Sequence, residues 1–183
     1  MRINFQTARD VLTAFPTLAD DMDARPDARD PITFTKDLAR SATPEDALSF
    51  FSYLAPRREA VWWTCRCLQT LGAEGADALA AASAWVARPD EAERTAALGL
   101  AEEGDDELAA TWAAYAAGWS GGNIGAPDGP PVLAAPHLTA KAVRACVLIA
   151  VASAPFDARA ARLERCLDEA LSVANDDAET HFD

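Results

Sequence analysis

The sequence is poor in the residues from which metal and nucleophilic sites are built. It has two histidines, far apart in the chain, and four cysteines without the paired spacing that binds zinc. Residues two apart on a helix diverge, so Cys65 and Cys67 cannot both face one site. We therefore expect no metal and no cofactor. We also expect all four cysteines to be buried and reduced, namely Cys65, Cys67, Cys146 and Cys166.

Long hydrophobic runs are missing as well. The longest apolar stretch, residues 145–156, covers about twelve residues, which is too short to span a bilayer. The N-terminus carries no apolar run of the signal-peptide type. These two absences predict a cytoplasmic protein.

Basic residues are outnumbered by acidic ones, with 16 Lys and Arg against 29 Asp and Glu, for a net charge of −13. Repulsion from phosphate groups argues against binding to nucleic acid and to anionic membranes. A basic protein partner is compatible with this charge, and so is a purely solubilising role. Another protein is therefore the expected class of partner.

β-branched residues are sparse, whereas alanine, the best helix former, occupies 43 of 183 positions. This composition predicts an all-α fold, and the length suits one domain with its own core. We predict a single helical domain, residues 1–183, with about seven to eight helices around one central buried helix. It begins with an acidic, partly irregular segment at 1–42, contains a Gly/Pro-rich loop at 120–136 and ends in a frayed tail at 175–183.

Three features define the expected N-terminal segment. Thr7 and Asp10 have the spacing of a capping box at the start of a short helix. Irregular chain then extends to Thr35, where a brief second helix is expected to begin. Thr43, followed by a proline and two acids, is expected to cap a third helix.

Residues 56–71, PRREAVWWTCRCLQTL, form the most informative predicted helix, which Gly72 ends. At about 100° per residue, Trp63 joins the apolar stripe, while Trp62 falls on the polar side with the arginines. Two explanations remain open for Trp62. It packs beneath another layer, such as the Gly/Pro-rich loop, or it anchors a protein interface, where Trp and Arg are frequent hot spots.

Two later helices have contrasting patterns. Residues 139–154 are apolar around nearly the whole circumference, which predicts the central helix and requires an acidic partner for Lys141 or Arg144. The preceding helix, residues 105–118, carries large side chains at i, i+4, i+7 and i+11. This spacing predicts that one stripe faces inward, formed by Leu108, Trp112, Tyr115 and Trp119.

The loop at 120–136 contains four glycines and four prolines. A structureless segment this long is usually functional, or is packed down as a covering strap. No Gly-Lys-Ser/Thr sequence follows its Ser-Gly-Gly, so it does not match a phosphate-binding loop. We refer to residues 120–136 as the strap and expect it to lie over one side of the bundle.

Three blocks occur in order along the chain: PRREAVWW from Pro56, WSGG from Trp119 and PHLTAKAV from Pro136. In these blocks the sequence resembles a small bacterial family of unknown function, whose genes occur near type VI secretion clusters. The resemblance implies an accessory role linked to secretion. It transfers no catalytic residues, and the acidic segment at 1–40 lies outside it.

The leading functional hypothesis is a non-enzymatic binding protein of the adaptor, chaperone or immunity type. Its candidate binding residues are Arg57, Arg58, Glu59, Trp62, Arg66, Trp119, His137 and Lys141. The alternative is a small enzyme with a cleft around Glu59, His137 and Lys141. A deep pocket containing these three residues would favour the enzyme, whereas a flat exposed patch around Trp62 would favour the binding protein.

Overall fold

The computed structural model describes residues 1–125 and 128–176, and the chain is predominantly helical over these ranges. Extended chain pairs within these ranges at one isolated antiparallel bridge, between Asn123 and Leu133. The α-helices are α1 Ala8–Ala14, α2 Pro31–Leu38, α3 Glu45–Leu54, α4 Arg57–Leu71, α5 Ala76–Ala87, α6 Glu91–Glu102, α7 Ala109–Gly118, α8 Leu138–Ala152 and α9 Phe156–Asn175. The all-α prediction is confirmed, with nine helices in these ranges where about seven to eight were expected. The predicted frayed tail falls, from residue 177 onward, outside the described residues.

Helix α8 is central in the bundle, since it packs against α3, α4, α7 and α9. Eight of its 15 residues are buried. The prediction of an almost wholly buried helix is wrong in part, because Leu148 and Ile149 are only partly buried. Four neighbouring helices cover most of the circumference of α8 and leave one edge near the surface.

Helix α7 is rotated relative to the predicted orientation. Its alanines form the fully buried face, whereas Trp112, Tyr115 and Trp119 are only partly buried. The reason is close packing on α6: a Cβ added at Gly118 would lie 2.8 Å from the Cβ of Leu98. Only small residues fit at such a distance, so the alanine face packs closest to the neighbouring helices and the bulky rings lie where they are only partly buried.

The N-terminal helices begin as their capping chemistry dictates. The predicted capping box of Thr7 and Asp10 is present at α1. Helix α2 begins earlier than predicted, because the Asp30 carboxylate caps it and Pro31 occupies its first position. A 3₁₀ helix, Pro16–Asp20, lies between α1 and α2, in chain that was predicted to be irregular.

The predicted threonine cap of α3 is not formed. The Thr43 hydroxyl donates instead to the Asp46 carboxylate, 3.1 Å away. That carboxylate is buried and also accepts hydrogen bonds from the backbone N–H groups of Asp23 and Ala24. Asp46 therefore attaches the segment before α2 to the start of α3.

Asp21 attaches the same segment to the central helix. Its carboxylate lies 3.0 Å from Lys141 Nζ and 3.7 Å from Arg144 Nη1, and it accepts a hydrogen bond from the Tyr53 hydroxyl. The predicted acidic partner of Lys141 and Arg144 is thereby confirmed. Burial acts to raise the pKa of Asp21, but the bonds from Tyr53 and Lys141 and the charge of Arg144 hold that pKa below its ordinary value.

Candidate functional site

Trp62, the candidate anchor on α4, is buried, with 4% of its surface exposed. The guanidinium of Arg66 lies 5.5 Å from the centre of a Trp62 ring. Arg66 also forms ion pairs with Glu169 of α9, at 2.6 Å, and with Asp176, at 3.6 Å. The burial expected under the first explanation is confirmed, so Trp62 does not form a flat exposed patch.

The first two arginines of α4 connect it to other parts of the fold. Arg57 Nη1 donates to the backbone carbonyl of Ser120 at 2.8 Å, which fixes the start of the strap. Arg58 Nε donates to the carbonyl of Val86 at 2.7 Å, and its Nη2 donates to Ala87. These carbonyls lie at the C-terminal end of α5, where a cation is favourable. Both candidate binding residues therefore have structural contacts.

The strap is held by a residue that the sequence analysis did not select, Arg94 of α6. Its buried guanidinium donates to the carbonyls of Gly118, at 2.6 Å, and Asn123, at 3.0 Å, and it pairs with Glu91. Gly122 has a φ of 65°, and a Cβ there would lie 2.9 Å from Arg94 Nε. Because Gly122 of the WSGG block has no side chain, the guanidinium of Arg94 can pack directly against the backbone there. An arginine three residues after a glutamate on an alanine-rich helix was the available sequence signal.

The candidate enzyme residues lie at the starts of two helices, Glu59 on α4 and His137 and Lys141 on α8. Lys141 is paired with Asp21, and His137 is half-buried at the N-terminal end of α8. Glu59 is half-buried on the first turn of α4. The nearest described pocket, with a cavity volume of about 140 Å³, is lined by Arg57, Ala60, Thr139 and Ala140 among others, and by none of the three.

The cysteines lie in the core. All four are buried and outside disulfides, and burial raises the pKa of Cys65 to about 11. A thiol with a raised pKa is a weak nucleophile because little thiolate forms at neutral pH. Across residues 1–125 and 128–176, no group of three or more His, Cys, Asp or Glu side chains is placed to hold a metal ion.

A surface feature emerges on α7. Trp112, Tyr115 and Trp119, which we call the aromatic stripe, contact one another with ring centroids 5.6, 4.6 and 6.4 Å apart. The indole N–H of Trp112 donates to the carbonyl of Asp106 at 2.9 Å. The carbonyl of Trp119 accepts from the Thr139 hydroxyl at 3.1 Å. Of the candidate binding residues, Trp119 is the one that belongs to this stripe.

An acidic segment, residues 102–107, lies immediately before α7. Its five carboxylates are exposed and belong to Glu102, Glu103, Asp105, Asp106 and Glu107. The pKa of Tyr115 is raised, first by burial and then by the negative charges of Asp106 and Glu102. The rings therefore lie in a negative field, which suits them to contact with cations.

The fold and this surface define a small all-α protein with an aromatic stripe beside a run of carboxylates. The chain belongs to a family of unknown function, DUF6931, whose model matches residues 34–174. Residues 1–33, which carry α1 and the start of α2, lie outside that match. No curated protein and no solved structure matches the chain. None of the helices described here combines the length and apolar composition that crossing a membrane demands.

Proposed function

We propose that the protein is a non-enzymatic binding protein, and that its aromatic stripe holds a basic segment of another protein. The observation that carries the proposal is the contact of three partly exposed rings beside the carboxylates of residues 102–107. Arginine and lysine bind over aromatic faces, and nearby carboxylates add long-range attraction. Tryptophan and tyrosine also supply much of the binding energy in known interfaces.

The rings are positioned before any partner binds. The Trp112 indole is tied to the carbonyl of Asp106, and the backbone at Trp119 is tied to Thr139 on α8. Fixed side chains lose little conformational entropy on association, so more of the contact energy contributes to affinity. A single cation–π contact contributes about 0.5–1 kcal/mol at an exposed site, so several cations in series are required for useful affinity.

The proposal can be tested with a defined basic probe. A decapeptide of alternating arginine and glycine is titrated into the protein while tryptophan fluorescence is recorded, with the glutamate–glycine counterpart as reference. We expect Glu102→Gln combined with Asp106→Asn to raise the Kd for the basic peptide about tenfold, equivalent to about 1.4 kcal/mol.

The matched control is Asp20→Asn combined with Asp23→Asn, which removes the same two charges at exposed positions in the segment before α2. The control should leave the Kd within about twofold, since distant exposed charges are screened at physiological salt. If both pairs weaken binding equally, only net charge is at work and the stripe is not the site.

The cellular role proposed with this activity is accessory to type VI secretion, on the strength of the resemblance in the three sequence blocks. Deletion of the gene separates the immunity type from the other two. Loss of an adaptor or chaperone should reduce export of a secreted protein, whereas loss of an immunity protein should make cells sensitive to their neighbours. Unchanged export together with unchanged survival would argue against all three.

The alternative is an enzyme that uses Glu59, His137 and Lys141. It requires Lys141 to leave its ion pair with Asp21, and the three side chains to converge on a cavity. A substrate turned over by the wild-type protein and not by His137→Ala would support it. Turnover that is indifferent to His137→Ala would remove its proposed base.

A further inference from the structure

A second surface lies between α9 and the end of α2 with the start of α3. It is a groove with a cavity volume of about 760 Å³. Its apolar lining is spaced mainly four residues apart along α9, where Leu163 and Leu167 form the floor and Ala160 and Leu171 the wall. Phe156, at the start of α9, also lines it and is 86% exposed. The groove is thus an apolar surface with a large ring left in solvent.

The edges of the groove carry opposite charges. Asp157, Glu164 and Asp168 are seven and four residues apart, so they share the outer edge of α9. Lys36 and Arg40 lie on the opposite wall. In the part of the chain that the structure describes, these five exposed side chains form no ion pair and no side-chain hydrogen bond.

Two lining charges have the opposite sign to their walls. Arg159 Nε donates to the carbonyl of Ala154, 3.1 Å away, which directs it toward the start of α9. Glu45 lies in the first turn of α3, where an acid is favoured by the helix dipole. Arg159 and Glu45 thus each interact with the end of a helix. The predominant pattern of the groove remains an acidic edge on α9 and a basic edge at the end of α2.

The dimensions of the groove suit a helix. The lining residues from Phe156 to Leu171 extend over about 22 Å at 1.5 Å per residue, which is about four turns of a helix lying alongside α9. The apolar floor and the available length therefore agree.

We infer that this groove binds an amphipathic helix of a partner protein, with Lys or Arg along the edge that faces α9 and Asp or Glu along the edge that faces α2. This mode of recognition places the apolar face of the helix against the leucines. The charged edges fix its direction, since a reversed helix would meet like charges. The groove and the aromatic stripe share no helix, so the inference is independent of the proposed function.

A second copy of the chain is a poorer occupant. Two-fold symmetry in an antiparallel pair of α9 helices brings the same edge of each helix to the same side. The acidic edges formed by Asp157, Glu164 and Asp168 would then face each other and repel. A partner helix with a basic edge avoids this repulsion.

The test uses two synthetic helical peptides of about five turns each, labelled with a fluorophore, with leucine every third or fourth position. One carries lysine on the edge predicted to face α9 and glutamate on the other edge. The second has the same composition, with lysine and glutamate alternating along both edges, so that neither binding direction pairs opposite charges along the groove. By fluorescence anisotropy, we expect the first to bind at least tenfold more tightly.

Two sets of variants locate the binding. Lys36→Glu combined with Arg40→Glu makes both edges acidic and should abolish the preference between the peptides. Arg9→Glu combined with Arg165→Glu, which makes the same charge change at exposed positions outside the groove, should leave the preference intact. Ala160→Glu should weaken the binding of both peptides at least tenfold. Because Ala160 is exposed, this variant should fold normally.

Three results would overturn the inference. The first is no binding of either peptide up to about 1 mM, the scale of the weakest specific complexes. The second is equal binding of both peptides, or a preference unaffected by reversing the α2 charges. The third is a concentration-dependent dimer in analytical ultracentrifugation that Ala160→Glu disperses, because it would make a second copy the occupant.

Discussion

At the scale of single residues, the two adjacent tryptophans of α4 are buried for different reasons. Trp63 is fully buried as its position on the apolar stripe predicts, and its indole N–H donates to the Cys166 carbonyl at 2.9 Å. Trp62 occupies the polar side of the helix, where Arg66 stacks on it and pairs with Glu169. Helical periodicity accounts for Trp63, whereas the surroundings of Trp62 depend on α9.

Asp21 provides the prediction at this scale. We expect Asp21→Asn to lower the free energy of unfolding at pH 7 by about 1–3 kcal/mol, as for a hydrogen bond to a charged group. The exposed neighbour Asp20 provides the control, because Asp20→Asn should change the free energy of unfolding by less than about 0.5 kcal/mol. Urea denaturation of the three proteins measures both effects.

The pH dependence follows from the lowered pKa of Asp21 in the folded protein. A depressed pKa contributes stability that is complete above the unfolded value, about 3.9, and is lost as pH falls through the folded value. The difference between wild type and Asp21→Asn should therefore be constant from pH 7 to about 5 and shrink as pH falls below about 4. A difference that grows on acidification would contradict the assigned ion pairs.

At the scale of elements, the strap depends on backbone geometry more than on its own side chains. Arg94 donates to carbonyls on both sides of Gly122. The Asn123 side-chain oxygen accepts from the N–H groups of Gly125 and Val132, beside the bridge between Asn123 and Leu133. The described parts of the strap are held because their backbone groups bond the buried guanidinium of Arg94 and the side-chain oxygen of Asn123.

We expect Gly122→Ala to destabilise the protein by about 1–3 kcal/mol, since alanine meets both the strained positive φ and the Arg94 guanidinium. Gly121→Ala is the matched control because nothing lies within 4 Å of its added Cβ. It should change the free energy of unfolding by no more than about 0.5 kcal/mol. Thermal melts of the two variants measure the difference, and equal losses would show that Arg94 does not constrain the strap.

At the scale of the whole molecule, one continuous core includes side chains from all nine of the described α-helices. The cysteines are distributed through it on α4, α8 and α9, and the most accessible of them, Cys65, has 3% of its surface exposed. Their reactivity therefore depends on opening of the core. Local unfolding of a single helix would not expose all four thiols at once.

Thiol labelling measures this property. We expect a disulfide reagent to modify four thiols in denatured protein, and to react with native protein only at the rate at which the core opens. Ala152→Cys, at an exposed position on α8, should add one thiol that reacts immediately. Fast labelling of any wild-type cysteine in native protein, or fewer than four thiols after denaturation, would contradict the buried reduced core.

Part of the candidate site was predictable from the sequence. Trp119 was among the candidate binding residues, and the acidic composition was compatible with a basic partner. The stripe itself was placed inward, because large aromatic residues at helical spacing usually form a core face. Alanine in α7 reverses that expectation, since the smallest face makes the closest approach to neighbouring helices.

The sequence by itself determined the helical class, most helix positions and the end of α4 at Gly72, whose φ is 63°. These features follow from alanine content, apolar periodicity and capping, which act within a few residues of chain. Only the tertiary structure decided that Arg94 holds the strap, that Asp21 pairs with Lys141 and that the rings of the aromatic stripe are only partly buried. Each of these depends on distances between segments that are far apart in the sequence, or on the packing of one helix against another, which local periodicity does not encode.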